Sequence, residues 1–272
     1  MKYAINVPNF GDYHHPDTVA ELAADAEDAG WDGFFTWDHL QWDGPMGDTA
    51  VNLATVATMT RRIKIGPMVC PLPRRRPWKV AMEAISLDHL SKGRFILGVG
   101  LGAPPEEYTK FGEDANARLR ADKLDESLNI IKGLWSGETF SFRGKHYQLD
   151  EVTYGKPYQE EIPIWVAGFL PSTRPLYRAA RYDGVSPGRN WPEAFTVEDL
   201  GKVIRIIEKR RGSMDNYDIV VSGESPGDPE KGAETLAPWI DVGATWWSEN
   251  INTWRGSVEE MRDRVEAGPP RA

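Results

Sequence analysis

Short runs of β-forming residues alternate with longer stretches whose apolar residues recur every three or four positions, and the alternation repeats eight times along the 272 residues. Such alternation is the mark of βα units, in which each helix carries the chain back and successive strands lie parallel. Strands are expected at residues 3–7, 33–37, 63–69, 94–99, 164–167, 184–186, 217–222 and 244–247. Helices are expected from Pro16 to a stop at Gly30, near 48–58, over 78–90, over 117–135, and near 173–181, 197–211, 230–240 and 257–266. Val80, Ala84, Leu87 and Leu90 in the third helix lie three or four apart, as a core-facing stripe requires.

Two folds alternate in this way. A doubly wound open sheet has roughly five to seven strands and a Gly-x-Gly-x-x-Gly loop after the first. Here the first strand runs into Val7-Pro8-Asn9-Phe10-Gly11, without that loop. Eight units in a chain near the usual ~250 residues fit an eight-stranded parallel β/α (TIM) barrel of class α/β, in one domain over residues 1–272. Residues 138–158 interrupt the rhythm: Phe140, Phe142, Tyr147 and Leu149 flank an Arg143-Gly144-Lys145 turn, which reads as an inserted hairpin.

The net charge of -9 argues against a nucleic-acid or anionic-membrane surface, because phosphate contacts need a basic face. A small-molecule substrate is the expected partner. The one cysteine, Cys70, excludes an intrachain disulfide and a cysteine zinc cluster. The first residues lack the basic start and apolar core of a signal peptide, and no run approaches the ~18 apolar residues of a membrane helix, so a cytoplasmic location is expected.

In a β/α barrel the residues just after each strand build the site. After the second strand stands Trp37-Asp38-His39, either a proton-handling pair or a capping Asp beside a buried His. After the third, Cys70 leads into Arg74-Arg75-Arg76, guanidinium forks for an anion or a charge run paired with neighbours such as Glu83. Gly98, Gly100 and Gly102 after the fourth allow a planar ligand close to the backbone, and either Glu106 or Glu107 can line a pocket there. After the fifth, Ala167-Gly168-Phe169 and Ser172 precede a helix start, suited to phosphate or to ordinary N-capping. Tryptophans at strand ends can stack on an aromatic ligand, whereas Trp135 on a helical stripe is core. A metal hydrolase is the barrel competitor, since His14, His15, Asp38, His39, Asp88 and His89 are all potential ligands. No His-x-His ends the first strand, however, and Asp88 and His89 fall inside a helix, so no metal site is expected.

Four segments together resemble the luciferase-like monooxygenase family. They are Gly30-Trp-Asp-Gly-Phe-Phe-Thr-Trp-Asp-His-Leu40, Ile63-Lys-Ile-Gly-Pro-Met-Val-Cys-Pro-Leu-Pro73, Ser86-Leu-Asp-His-Leu-Ser-Lys-Gly-Arg-Phe-Ile-Leu-Gly-Val-Gly-Leu-Gly102 and Pro163-Ile-Trp-Val-Ala-Gly168. The resemblance implies an oxidoreductase or monooxygenase using deazaflavin (coenzyme F420) or flavin mononucleotide (FMN). It implies that Asp38 and His39 face the ring, that Met68, Val69 and Cys70 form a bulge against it, with a cis peptide at Met68-Val69, and that Ala167, Gly168, Phe169 and Ser172 hold ribityl and phosphate. Gly100 joins the cofactor-contacting set, and His39 is the first choice for proton transfer, with Glu106 or else Glu107 second. Deazaflavin is favoured if Arg74 to Arg76 meet an acidic cofactor tail. A bulky Gly168-Phe169-Leu170-Pro171 stands where many deazaflavin relatives have a glycine-rich turn. Pairing of such barrels makes a homodimer the expectation. The alternatives are a barrel that binds flavin without catalysis and, behind it, the metal-dependent hydrolase.

Overall fold

The computed structural model describes residues 1–190 and 192–270. In chain order the elements are β1 (Lys2–Val7), α1 (Pro16–Asp28), β2 (Gly33–Thr36), α2 (Thr49–Met59), β3 (Lys64–Pro67), β4 (Cys70–Pro71), α3 (Pro77–Ser91) and β5 (Leu97–Gly100). Then follow α4 (Glu106–Thr109), α5 (Ala117–Trp135), β6 (Phe140–Arg143), β7 (Gln148–Val152), β8 (Ile164–Leu170) and α6 (Arg174–Ala179). The chain ends with β9 (Gly184–Arg189), α7 (Val197–Arg211), β10 (Asp218–Gly223), α8 (Pro229–Val242), β11 (Trp246–Asn250) and α9 (Val258–Glu266).

Nine parallel strands form one sheet in the order β3-β2-β1-β11-β10-β9-β8-β5-β4. The two ends of that order, β3 and β4, are halves of one extended segment, so the sheet returns on itself. A bridge between Ile65 and Phe95 closes the ring. The expected eight staves are therefore present, the third split in two. The split falls at Met68-Val69, whose peptide bond is cis, as are those of Ala103-Pro104 and Leu170-Pro171.

Local chemistry sets the helix ends. Asp48 caps α2 by accepting the Val51 N–H at 3.0 Å, and Pro77 opens α3 where its missing N–H is harmless. α3 stops at Lys92, which takes the left-handed conformation (φ 57°). Ser257 and Glu260 form a reciprocal capping box on α9. The base of the barrel is fixed by Glu27, whose carboxylate accepts the N–H groups of Arg61, Arg62 and Ile63 just before β3.

Two apolar layers result from strand alternation. The outer one, with Ile5, Val7, Leu53, Leu87, Leu97 and Val166, packs strands against helices. The inner one fills the lower barrel with Ala4, Phe35, Met68, Ile96, Trp165, Val220 and Trp246. Both indoles there satisfy their N–H on one carboxylate, Asp218, at 3.1 Å from Trp165 and 2.8 Å from Trp246. The expected insertion is the antiparallel β6–β7 hairpin, seated on α5 by Glu126, which accepts the N–H groups of Lys145, His146 and Tyr147.

Strands β8 and β9 run three residues past their expected ends. The short helix α4 had no counterpart in the sequence reading, since four residues are too few for a period.

Candidate active site at the carboxyl ends of the strands

The chain leaves β2 through Trp37-Asp38-His39 at the barrel mouth. Asn9, just past β1, clamps this exit: its Oδ1 accepts the His39 N–H at 2.9 Å, and its Nδ2 donates to the His39 and Gly47 carbonyls at 2.9 and 2.8 Å. The imidazole Nδ1 lies 3.0 Å from Oε1 of Glu107, which also accepts the N–H groups of Leu40 and Gln41. The other oxygen of Glu107 is bound by Arg74. Burial works against the charge on Glu107, but the hydrogen bond from His39, the nearby Arg74 and the Gln41 N–H hold its carboxyl below the usual range. An ionised carboxylate can only accept, so Nδ1 of a neutral His39 carries the proton and Nε2 keeps its lone pair.

Of the two neighbouring glutamates, Glu106 is exposed at the start of α4, and Glu107 is the one turned inward onto His39. Both are candidates for the second proton-handling group, Glu106 ahead of its neighbour, and the helical phase of α4 turns Glu107 rather than Glu106 onto His39.

Asp38 is buried. Arg75 grips its carboxylate in a two-pronged contact at 2.8 and 2.6 Å, and Arg74 lies 3.5 Å away and also donates to the Asp38 carbonyl. Asp38, Cys70 and Arg75 border a cavity of about 30 Å³ with Leu53, Val80 and Ala84, between the strands and helices α2 and α3. Two of the three arginines expected to meet an anion are thus occupied by Asp38 and Glu107. Arg76 alone is exposed, beside the ring of Trp78.

The bulge divides likewise. Met68 and Val69 belong to the inner layer, whereas Cys70 belongs to the outer one, where burial pushes its thiol pKa up. Gly98 and Gly100 serve this bulge. A Cβ at 98 would sit 2.2 Å from the Pro67 carbonyl oxygen, and one at 100 would sit 2.6 Å from Val69 Cγ2. These glycines admit the neighbouring stave, a use the sequence reading assigned to a ligand.

Across the barrel, Ala167 and Phe169 share the inner face of β8 with Trp165, and Phe169 is 42% exposed. Gly168 is not in a turn. It lies in the strand facing α6, where a Cβ would meet Leu176 at 2.7 Å. Ser172 is exposed and makes no cap on α6, whose N-cap is Thr173 without a side-chain bond.

Four aromatic residues complete the site, and Trp42 and Trp254 lie outside every motif quoted from the sequence. Trp42, Phe10 and Trp37 lie 4.7, 5.9 and 5.7 Å from the ring of His39, and Trp254, from the loop after β11, lies 6.0 Å from Trp37. Alternation places Asn6 and Ser248 on the inner face above Ala4 and Trp246, and Asn6 Oδ1 and Ser248 Oγ are buried without a protein partner. A planar heterocycle with hydrogen-bonding edges fits a mouth with unspent polar atoms, an apolar bulge and aromatic walls. No cluster of three or more His, Cys, Asp or Glu occurs among the described residues; His14 bonds the Gly11 carbonyl and Asp88 holds Gln159.

The luciferase-like monooxygenase family profile matches residues 1–225. The chain belongs to that family. It is 33% identical over 97% of its length to an F420-dependent glucose-6-phosphate dehydrogenase of Amycolatopsis mediterranei, covering 80% of that protein. It is 35% identical over 85% of its length to the protein of the same name from Kineococcus radiotolerans, covering 70% of it. The fold matches the coenzyme F420 dependent tetrahydromethanopterin reductase of Methanopyrus kandleri with a TM-score of 0.79, at 18% identity, over 98% of both chains. No helix among the described residues is long and apolar enough to cross a membrane.

Proposed function

We propose that this luciferase-like family member is an oxidoreductase of a small organic substrate, that its cofactor is deazaflavin (coenzyme F420) in preference to FMN, and that His39 is its proton-transfer group. The observation that carries the reading is the His39–Glu107 pair at the mouth of the barrel, with Nδ1 tied to a buried carboxylate and Nε2 left to accept. The names of the similar dehydrogenases support deazaflavin. Arg74 and Arg75 lend no support, being held by Glu107 and Asp38.

Met68, Val69, Ala167 and Phe169 would hold the ring by apolar contact, and Asn6 and Ser248 would meet its hydrogen-bonding groups. When bound, the cofactor supplies two-electron chemistry. The chain supplies the rest. Nε2 of His39 takes or gives the proton of the substrate oxygen, and the Glu107 carboxylate stabilises the imidazolium that results. Asn9 fixes the backbone that carries the ring.

A fluorescence-quenching titration with F420 and with FMN tests the cofactor. Tighter binding of F420 is expected, with binding retained but turnover lost in His39→Ala. Binding of neither cofactor refutes the reading. We also propose that the chain forms a homodimer through α2 and α3. Helix α2 has no charged residue, and Val51, Met59, Met82 and Leu90 stand exposed on the two helices.

A further inference from the structure

The rings beside His39 form one continuous surface. Phe10 and Trp42 are stacked at 5.3 Å, and Trp254 touches both, at 5.9 and 6.2 Å. Trp254 is 62% exposed, an unusual state for the largest apolar side chain. Its loop is nevertheless built. Asn252 Oδ1 accepts the N–H groups of Trp254 and Arg255 at 3.1 and 3.2 Å, and Arg255 reaches back to Glu249 and to the carbonyls of Asn250 and Ser225. Glu249 is itself fully buried and held by Ser225 and Trp247. An exposed aromatic face on a tethered loop beside a reactive group is an apolar binding surface.

The charges around it matter as much. Three guanidinium groups near this wall are already paired with carboxylates: Arg74 with Glu107, Arg75 with Asp38 and Arg255 with Glu249. A phosphate dianion against the negative ring faces finds no guanidinium on this wall that is not already paired with a carboxylate. Arg205 and Lys209, on α7, line a separate groove with Leu170, Pro171 and Thr173, and α7 follows β9 on the far side of the barrel from β2.

We infer that the wall of Phe10, Trp37, Trp42 and Trp254 takes the apolar body of an uncharged hydroxy or carbonyl compound, its oxygen at Nε2 of His39, and rejects phosphomonoesters. The inference rests on the oxidoreductase reading for the role of His39. It parts company with the glucose-6-phosphate named for the similar dehydrogenases.

The test is isothermal titration of the chain, without and then with bound cofactor, using 2-butanol, 2-hexanol and 2-octanol, and glucose 6-phosphate as the contrast. Affinity is expected to rise about threefold to fourfold per added CH₂. Trp254→Ala should flatten that gradient and weaken 2-octanol about tenfold, and Trp254→Phe should restore most of it. Glucose 6-phosphate should bind more weakly than 2-octanol by a factor of ten or more. A flat series, an unchanged gradient in Trp254→Ala, or glucose 6-phosphate binding as tightly as 2-octanol overturns the inference. The cofactor-free series is read independently, so failure of both cofactors to bind sinks the oxidoreductase reading and not this one.

Discussion

Glu107→Gln separates a charged pair that works on His39 from a packing contact. The carboxylate is 2% exposed and receives His39, the Leu40 and Gln41 N–H groups and the Arg74 guanidinium. An amide of the same shape keeps an acceptor oxygen for the backbone donors. It removes the charge opposite Arg74, which is then left buried with the Asp38 carbonyl and the Asp38 carboxylate at 3.5 Å. Removing one partner of a buried pair costs roughly 3–5 kcal/mol. Because Asp38 still shares Arg74, the lower end applies, about 3 kcal/mol. For a chain of this size that lowers Tm by about 6–12 °C, at roughly 2–4 °C per kcal/mol. Turnover should fall by about 10²–10⁴, the usual worth of a positioned acid–base group, since the imidazolium loses its counter-charge. The pH dependence has a fixed sign. The Glu107 carboxyl is held below its ordinary pKa in the folded chain, so its contribution is present above the unfolded value and is lost as pH falls through the folded one. The gap in Tm between wild type and variant, followed by scanning calorimetry, should be full at pH 7 and close below about pH 4. An unchanged Tm at pH 7, or a gap that persists into acid, would refute the reasoning.

Three further outcomes are expected. Gly98→Ala places a Cβ 2.2 Å from the Pro67 carbonyl oxygen, which no rotamer relieves, so the midpoint of urea unfolding should drop by the equivalent of about 3 kcal/mol with an unchanged slope. Glu27→Gln weakens three backbone bonds before β3. Burial opposes charge on Glu27, yet the N–H groups of Arg62, Ile63 and Arg61 hold its carboxyl low, so a loss of about 1–2 kcal/mol at neutral pH should vanish in acid, as denaturant titrations at pH 7 and pH 3 will report. Met82→Glu on the exposed face of α3 should convert a dimer to monomer in sedimentation velocity without moving Tm at low concentration; a monomeric wild type disposes of the paired assembly.

The barrel was legible because its staves and its longer helices each keep their own period, and the inserted hairpin announced itself through Arg143-Gly144-Lys145. Strand ends were less so. The expected strands end at Ala167 and Ser186, yet β8 and β9 run on through Gly168, Pro187 and Gly188, because parallel neighbours and the helix layer override weak local propensity. His39 was visible from its place after a strand. Its partners were not: adjacent Glu106 and Glu107 differ only in the phase of a four-residue helix, and Arg74 and Arg75 look like an anion site until residues more than thirty positions away close on them. Asn9 had a signal in its position directly after β1. Trp254 had none, since what brings it to Phe10 is closure of the ring between β11 and β1.

The indoles of Trp165 and Trp246, locked on Asp218, make the lumen a chamber with one doorway. Whatever lies deepest must enter first and leave last. Traffic through such a vestibule is a queue, and on the proposed function a ring held at Met68 and Val69 would enter before a smaller molecule at His39 and leave after it.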